Sequence, residues 1–230
     1  MPGGARLGWP HVHLRVLDST NMLARELAVA GAAHGTLVTA DRQRAGRGRQ
    51  GRSWSAPPGQ ALLSSWVIRD PARLLSLAAG VAVARVCGSS ALIKWPNDIL
   101  IDGRKVAGIL VEARPRERWA VLGIGINVAV ELERLPTELQ GRAGTLGLQP
   151  RDRDGVLRSL SDELGRWLVA DDDAVLAAVR ERDALRDRRV SWDAGSGTAV
   201  GLDQAGALLV MDDSRRVIAL EAGEVHLGGD

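Results

Sequence analysis

Two apolar runs, 99–101 and 106–112, are joined through Asp102-Gly103. That dipeptide suits both positions of a two-residue turn that need positive φ, so it predicts an antiparallel hairpin. A third run, 119–128, is apolar on both faces, which is the pattern of a central strand. No helical segment separates these runs, whereas a doubly wound sheet needs a helix between successive strands. The middle of the chain is therefore expected to build an antiparallel-biased sheet.

The flanking segments fill in the layers. Residues 11–17 alternate like a strand. Asp18-Ser19 offers a helix N-cap, 20–30 reads as helix, and Gly31 ends it. Residues 35–40 and 61–68 are strands, and between them 41–59 is a loop rich in Gly, Pro and Arg. Pro71 opens a helix over 72–86 with Leu74, Leu77, Ala78, Val81 and Ala82 on one face. Residues 91–95 are a short apolar piece, and 131–150 is irregular. Helices follow at 154–169, with Leu157, Leu160, Leu164 and Leu168 as its stripe, and at 173–186, with Asp171-Asp172-Asp173 as a capping run. After Arg188 the period changes: 190–192, 198–202, 208–211, 217–220 and 224–227 are short strands separated by Gly, Asp and Ser, the signature of a small β-barrel. The expectation is an α+β chain. Residues 1–187 form a mixed, largely antiparallel sheet flanked by helices, and residues 188–230 form the small barrel.

Composition narrows the function classes. With 45% apolar and 25% charged residues the chain is an ordinary globular one. No run approaches the ~20 apolar residues of a membrane span, so no membrane association is expected. Residues 1–10 lack an apolar stretch behind a basic start, so they read as a short leader and not as a secretory signal. Cys87 is the only cysteine and sits in an apolar run, which excludes an internal disulfide and predicts a buried, inert thiol. This fits a reducing cytoplasm. There is no Tyr or Phe and there are seven Trp, so Leu, Val, Ile, Ala and Trp must fill the core.

Arg42, Arg44, Arg47, Arg49 and Arg52 crowd one segment, and such a cluster requires solvent or an anion. Gly46-Arg47-Gly48-Arg49-Gln50-Gly51 matches G-x-G-x-x-G literally. A dinucleotide fingerprint needs a helix opening behind the glycines. Here Arg52-Ser53-Trp54-Ser55-Ala56-Pro57-Pro58-Gly59 continues as loop, so that reading is rejected. Glycines that let backbone close over a ligand, interleaved with guanidinium forks for phosphate or carboxylate, explain the string better. Lys105 stands at the foot of a hairpin strand, on a rigid element. Gly108 inside a strand predicts a bulge or a close backbone approach. Gly123 and Gly125 inside an apolar strand suggest a ligand lying against the backbone. His11-x-His13 share a strand face without a third ligand nearby, so they read as solvated histidines and not as a metal site.

In order and spacing, three strings together resemble the biotin–protein ligase family: Gly46–Trp54, Lys94-Trp95-Pro96-Asn97-Asp98, and Lys105-Val106-Ala107-Gly108-Ile109-Leu110-Val111-Glu112. The resemblance runs from about His13 to Leu227. It implies a class II synthetase-like catalytic domain followed by an SH3-like barrel. It also implies that Ser19, Thr20, Asn21 and Gln43 contact biotin, and that Arg47, Gly48 and Arg49 close over biotin and its adenylate. Lys105 would reach the activated carboxyl and phosphate, so Arg47, Arg49 and Lys105 are the implied catalytic residues. Asn97, Asp98 and Asn127 match nucleotide- or metal-side positions, with Asp98 the implied metal ligand. Biotin and ATP with Mg²⁺ are the implied substrates and ion, and a biotin carboxyl carrier domain of an acyl-CoA or pyruvate carboxylase is the implied acceptor.

The implied reaction makes biotinyl-5′-AMP and then biotinylates a lysine of the carrier, with the Gly-Arg loop excluding water from the adenylate. Family members that double as repressors carry a DNA-binding domain ahead of the catalytic one. Only about ten residues precede the first strand here, against the ~60 or more such a domain needs, so DNA binding is not expected. Residues 129–141, where the family has an adenylate-covering loop, are Glu-rich here. A lipoate ligase is disfavoured by the biotin-type loop, and a nucleic-acid binder by the lack of aromatic platforms or a recognition helix.

Overall fold

The computed structural model describes residues 7–221 and 223–227; most of the leader, 1–6, lies outside them. Strands β1 (His11–Leu17), β2 (Leu37–Gln43), β3 (Ala61–Arg69), β4 (Leu92–Lys94), β5 (Asp98–Ile101), β6 (Arg104–Arg114) and β7 (Trp119–Asn127) form one sheet in the order β1-β2-β3-β7-β6-β5-β4. Only β1 and β2 pair in parallel, and the other pairs are antiparallel. The long apolar run β7 is central, as its two-faced pattern predicts. Asp102 and Gly103 have φ of 50° and 74°, as their tight turn requires.

Helix α1 (Thr20–Val29) covers one face, where Ala24 and Ala28 pack on Val38, Val67, Trp119 and Val121. Helices α2 (Leu75–Cys87), α4 (Arg153–Trp167) and α5 (Asp172–Glu181) cover the other; α3 (Thr137–Gln140) is a single short turn. α2 is buried nearly all round, beyond the single face its sequence suggested, because the sheet, two helices and the C-terminal strands enclose it. Leu160 and Leu164 of α4 are fully buried, and Asp171 caps α5 by accepting from Ala174 N–H at 2.7 Å.

Helix α5 stops earlier than its periodicity predicts. Residues 182–184 instead pair with the sheet edge: Ile93 N–H donates to Arg182 O at 2.7 Å and Ala184 N–H to Ile93 O at 3.0 Å. Satisfying the edge strand β4 outcompetes a last helical turn.

Beyond Arg188, β8 (Arg189–Trp192), β9 (Gly195–Leu202), β10 (Leu208–Met211), β11 (Val217–Leu220) and β12 (His226–Leu227) make a second antiparallel sheet, order β11-β10-β9-β8-β12. Among the described residues no pairing joins β11 to β12, so the sheet is open where a closed barrel was expected. Its inner residues Val190, Leu208 and Val210 join the same apolar cluster as Leu75 and Leu77 of α2.

Cys87 ends α2 half-buried, short of the full burial its sequence suggested, and desolvation pushes its thiol up to about 12. Its thiolate is negligible at neutral pH. Native protein at pH 7.5 should therefore resist iodoacetamide for hours while denatured protein reacts fully, as intact-mass measurement would record. Equal labelling of both would contradict this burial.

Candidate active site

Odd-numbered side chains of β7 point toward α1, and even-numbered ones toward the helical core. Along the odd face Trp119 and Val121 lie under α1. Gly123, Gly125 and Asn127 then floor a cavity of about 650 Å³. A Cβ at Gly123 would overlap Asn21 Oδ1, and one at Gly125 would lie 2.6 Å from Trp54 Cε2. Gly108, beside Gly125 on β6, would bring a Cβ within 2.9 Å of Trp54 Cζ3. The glycines thus make room for two of the protein's own side chains, Asn21 and Trp54, on the cavity floor. Trp54, left without a role by sequence reasoning, lies across the floor, and its indole N–H is buried with no partner among the described residues. Gly125→Ala should displace this ring and weaken ligand binding in the cavity at least tenfold, about the effect of one lost buried contact. Unchanged affinity by calorimetry would argue against the floor as drawn.

Ser19, Thr20, Asn21, Gln43, Arg47, Gly48, Arg49, Asp98, Lys105 and Asn127 all line this one cavity. Most of them fall into two polar groups. In the first group, Ser19 occupies the N-cap position of α1 but makes no side-chain cap. Gln43 Oε1 caps instead, accepting from Thr20 N–H at 2.7 Å and Thr20 Oγ1 at 3.0 Å. Ser65 Oγ lies 2.8 Å from Thr20 Oγ1 and 2.6 Å from Asn21 Oδ1. Asn21 Nδ2 donates to Glu112 Oε2 at 2.8 Å, and Arg47 Nη1 lies 3.7 Å from Glu112 Oε1. Ser19, Thr20, Asn21 and Ser65 are all buried. This is a fixed polar cluster at the N-terminus of a helix, suited to hold a polar ring by hydrogen bonds.

In the second group, Arg49 Nη1 donates to Asn97 Oδ1 at 3.0 Å, Asn97 Nδ2 to Asp98 Oδ1 at 3.2 Å, and Lys105 Nζ stands 2.6 Å from the same Asp98 oxygen. Burial lowers the Arg49 pKa from its ordinary value, against the opposing pull of Asp98. The group nevertheless stays a cation at neutral pH. It is a partly desolvated guanidinium, which favours an arriving anion.

Lys105 reaches this face because of a bulge. Ala107 and Ile109 point into the core, and Gly108 and Leu110 into the cavity. Strict alternation would put Val106 in the cavity and Lys105 in the core. The register shifts opposite Ile99/Leu100, which buries Val106 and turns Lys105 to the cavity. The extra residue is Val106, two positions before Gly108, while Gly108 carries the close approach.

The Gly-Arg loop is itself a small hairpin. Arg47 bridges Ser53, Gly48 N–H donates to Arg52 O at 2.7 Å, and Gln50 and Gly51 take φ of 53° and 75° at its tip. No helix opens behind its glycines except the three-residue turn Arg49–Gly51. Arg52 Nη1 donates to Glu224 Oε1 at 2.6 Å, tying the hairpin to the C-terminal strands, and Trp95 Nε1 donates to Gly206 O at 3.0 Å. The irregular segment 131–150 supplies a wall. Asn127 Nδ2 donates to Gly144 O at 2.9 Å, Lys105 N–H to Arg142 O at 2.8 Å, and Leu135, Leu139 and Ala143 face the cavity.

Arg47, Arg49, Arg52, Lys94, Lys105 and Arg142 line the cavity against Asp98 and Glu224. That imbalance, with the cations outnumbering the carboxylates, suits an anionic ligand. Among the described residues no group of three or more His, Cys, Asp or Glu side chains is placed to hold a metal. His11 Nε2 and His13 Nδ1 lie 2.7 and 2.9 Å from Thr39 Oγ1, so both histidines are hydrogen-bonded within the fold. Among the described residues no helix is long and apolar enough to cross a membrane.

Known proteins resemble this chain in sequence and fold. The chain is 40% identical over 169 residues to the bifunctional ligase/repressor BirA of Bacillus subtilis (strain 168), covering 67% of this chain and 52% of that protein. It thus spans about half the length of that relative. It is 34% identical over 242 residues to the biotin–[acetyl-CoA-carboxylase] ligase of Paracoccus denitrificans, covering 92% of this chain and 98% of that one. The biotin protein ligase from Aquifex aeolicus in complex with biotin and ATP superposes with a TM-score of 0.78 at 26% identity, over 94% of this chain and 97% of that one. The model of the biotin/lipoate A/B protein ligase family matches residues 13–129, and with these likenesses in sequence and fold the chain belongs to that family.

Proposed function

We propose that the chain is an ATP-dependent biotin–protein ligase, which activates biotin as biotinyl-5′-AMP and transfers it to a lysine of a biotin carboxyl carrier domain. The observation that carries this reading is the meeting of two unlike groups in one cavity. A neutral hydrogen-bonding cluster, Thr20–Asn21–Gln43–Ser65, stands beside a cationic one, Arg49–Lys105. Biotin has the matching halves, a polar ureido ring and a carboxylate tail.

In the first step Ser19, Thr20, Asn21 and Gln43 hold the ureido ring, and a carboxylate oxygen attacks the α-phosphorus of ATP. The bond from that phosphorus to the bridging oxygen breaks, and pyrophosphate leaves with the electron pair. Negative charge builds on the phosphoryl oxygens, where Arg49 and Lys105 stabilise it and Arg47 with the Gly48 backbone closes over it. In the second step the carrier's neutral ε-amine attacks the acyl carbon, loses its proton, and expels AMP. No enzyme nucleophile is required, in keeping with an unreactive Cys87. Asn127 lines the nucleotide side.

Magnesium takes one or two carboxylates with phosphate oxygens and waters. Asp98, a cavity-lining carboxylate beside Lys105, fits that need and would hold the ion, which would offset phosphate charge. Residues 1–187 act as the catalytic domain, and residues 188–230 as a small SH3-like domain whose Glu224 anchors the loop through Arg52. The acceptor is the carrier domain of an acyl-CoA or pyruvate carboxylase, and the site of action is the cytoplasm.

The test is to incubate the protein with ATP, Mg²⁺, a purified carrier domain and equimolar biotin and lipoate. A carrier mass increase corresponding to biotin at its one target lysine supports the reading. A lipoyl adduct, or none, removes it.

A further inference from the structure

Residues 131–141 carry Leu135 and Leu139 to the cavity wall, yet few polar bonds hold them there. Most of their hydrogen bonds are internal: Arg134 N–H donates to Glu131 O at 3.0 Å, and Gln140 Nε2 to Glu133 O and Leu135 O. Among the described residues, one side chain makes the only hydrogen bonds from 131–141 to chain outside 131–143, and that side chain is Gln60. Its Oε1 accepts from Glu131 N–H at 2.9 Å, and its Nε2 donates to Glu131 Oε1 at 2.7 Å. Gln60 is buried, and Glu131 alone satisfies both ends of its amide. The remaining support is a small apolar cluster in which Leu132 and Leu135 meet Ala61, Leu63 and Trp54.

Two parts of the site are rooted at Gln60. It ends the segment that bears Arg47 and Arg49, and β3 begins at the next residue. Main chain alone closes the base of that segment, through Gly59 N–H to Asp41 O at 2.9 Å and Gln60 N–H to Pro57 O at 3.2 Å. Those bonds survive any change of the Gln60 side chain. The wall depends on the side chain itself. Its far end is stitched to the sheet by Lys105 N–H to Arg142 O and Gly144 N–H to Lys105 O, each at 2.8 Å. Its near end leaves the sheet at Glu131, where the Gln60 amide sets the direction of departure. Without that clamp, 131–141 is free to swing between its two fixed ends. A wall in place for a smaller fraction of the time lowers ligand affinity by that fraction.

We propose that Gln60 is a positioning residue for the nucleotide side of this site. Its amide clamps Glu131, so that Leu135 and Leu139 stand in place before ATP arrives and then shield the adenylate from water. Gln60 touches no reacting atom. The inference rests on the ATP-dependent ligase reading. It separates the two ligands: ATP affinity and adenylate retention depend on Gln60, whereas biotin affinity does not. The Thr20–Gln43–Ser65 cluster is held by α1, β2 and β3, with no bond to Glu131 or the wall.

The test compares full-length wild type with Gln60→Ala, Gln60→Glu and the double variant Gln60→Glu/Glu131→Gln. In Gln60→Glu two carboxylates face each other and the clamp opens. Adding Glu131→Gln restores both bonds, the new amide donating to the new carboxylate. It also removes the solvent-exposed Arg134–Glu131 pair, which is worth little. In both single variants the ATP KM for biotin-dependent pyrophosphate release should rise about tenfold, and bound biotinyl-5′-AMP should be lost about tenfold faster, the effect of one charge-assisted hydrogen bond. The biotin Kd by calorimetry should stay within about twofold, and the double variant should recover most of the loss. Trypsin should cut the Arg134–Leu135 bond of the ligand-free protein faster in the single variants and at the wild-type rate in the double. An ATP KM and a cleavage rate near wild type in both single variants overturn the proposal. So does a double variant no better than Gln60→Glu, or an equal loss of biotin affinity. No adenylate from wild type overturns the ligase reading itself, while the cleavage rates still decide whether Gln60 holds the wall.

Discussion

Arg49→Ala is expected to slow biotin-dependent adenylate formation by roughly 10²–10³-fold, the usual cost of removing one preorganised donor from developing charge. Arg49 sits on the loop hairpin, half-buried, with one nitrogen already held by Asn97. That bond orients the guanidinium before substrate arrives, so little reorganisation remains for the reaction itself. Arg49→Lys keeps the charge but loses the planar fork, and should stay at least tenfold slow. A single-turnover measurement with saturating biotin separates this from binding. A rate for Arg49→Ala within about threefold of wild type would remove Arg49 from the chemistry.

Lys105→Ala should be of similar severity, about 10²-fold or more in kcat/KM, with almost no effect on stability. The Lys105–Asp98 pair has side chains 36% and 22% exposed, and ion pairs open to solvent are worth only ~0–1 kcal/mol. The thermal midpoint should therefore move by no more than a few degrees. The bulge at Val106 gives this position its meaning, since it puts an ammonium in the cavity and a valine in the core. Deleting Val106 would restore strict alternation with Lys105 still on the cavity face, but it would remove a buried core side chain, so it should lower stability without repositioning the ammonium. If Lys105→Ala instead unfolds the protein while Arg49→Ala does not, then Lys105 is structural.

Local chemistry was legible in the sequence and long-range choices were not. Asp102-Gly103 announced its turn because positive φ at both positions is a property of those two residues. The central place of β7 followed from its two-sided apolarity, and the ten candidate site residues indeed line one cavity. Ser19 was expected to cap α1, yet Gln43 does so from 23 residues away. No local pattern encodes a cap supplied by a neighbouring strand. Glu112 and Ser65, which join Arg47 to Asn21 and Asn21 to Thr20, were missed for the same reason: their partners meet only through the sheet. Glu112 lay within a recognised string, and its place as a lone carboxylate at the end of an apolar strand was the available signal. Trp54 could have been found from Gly108 and Gly125, since glycines on adjacent strands leave a space one large ring fills. The early end of α5 depends on an edge strand 90 residues distant in sequence, and the open C-terminal sheet on strand ends that short alternating runs do not specify.

If this cavity couples biotin's carboxylate to the α-phosphate of ATP, the adenylate must form before any carrier is present. Mass spectrometry of the protein-bound small molecules after incubation with biotin, ATP and Mg²⁺, in the absence of any carrier domain, tests it most directly. Retained biotinyl-5′-AMP at up to one per chain is expected, with pyrophosphate released in equal amount, and its loss in Arg49→Ala. Recovery of biotin and ATP unchanged, or of an adenylate formed equally well from lipoate, would contradict it.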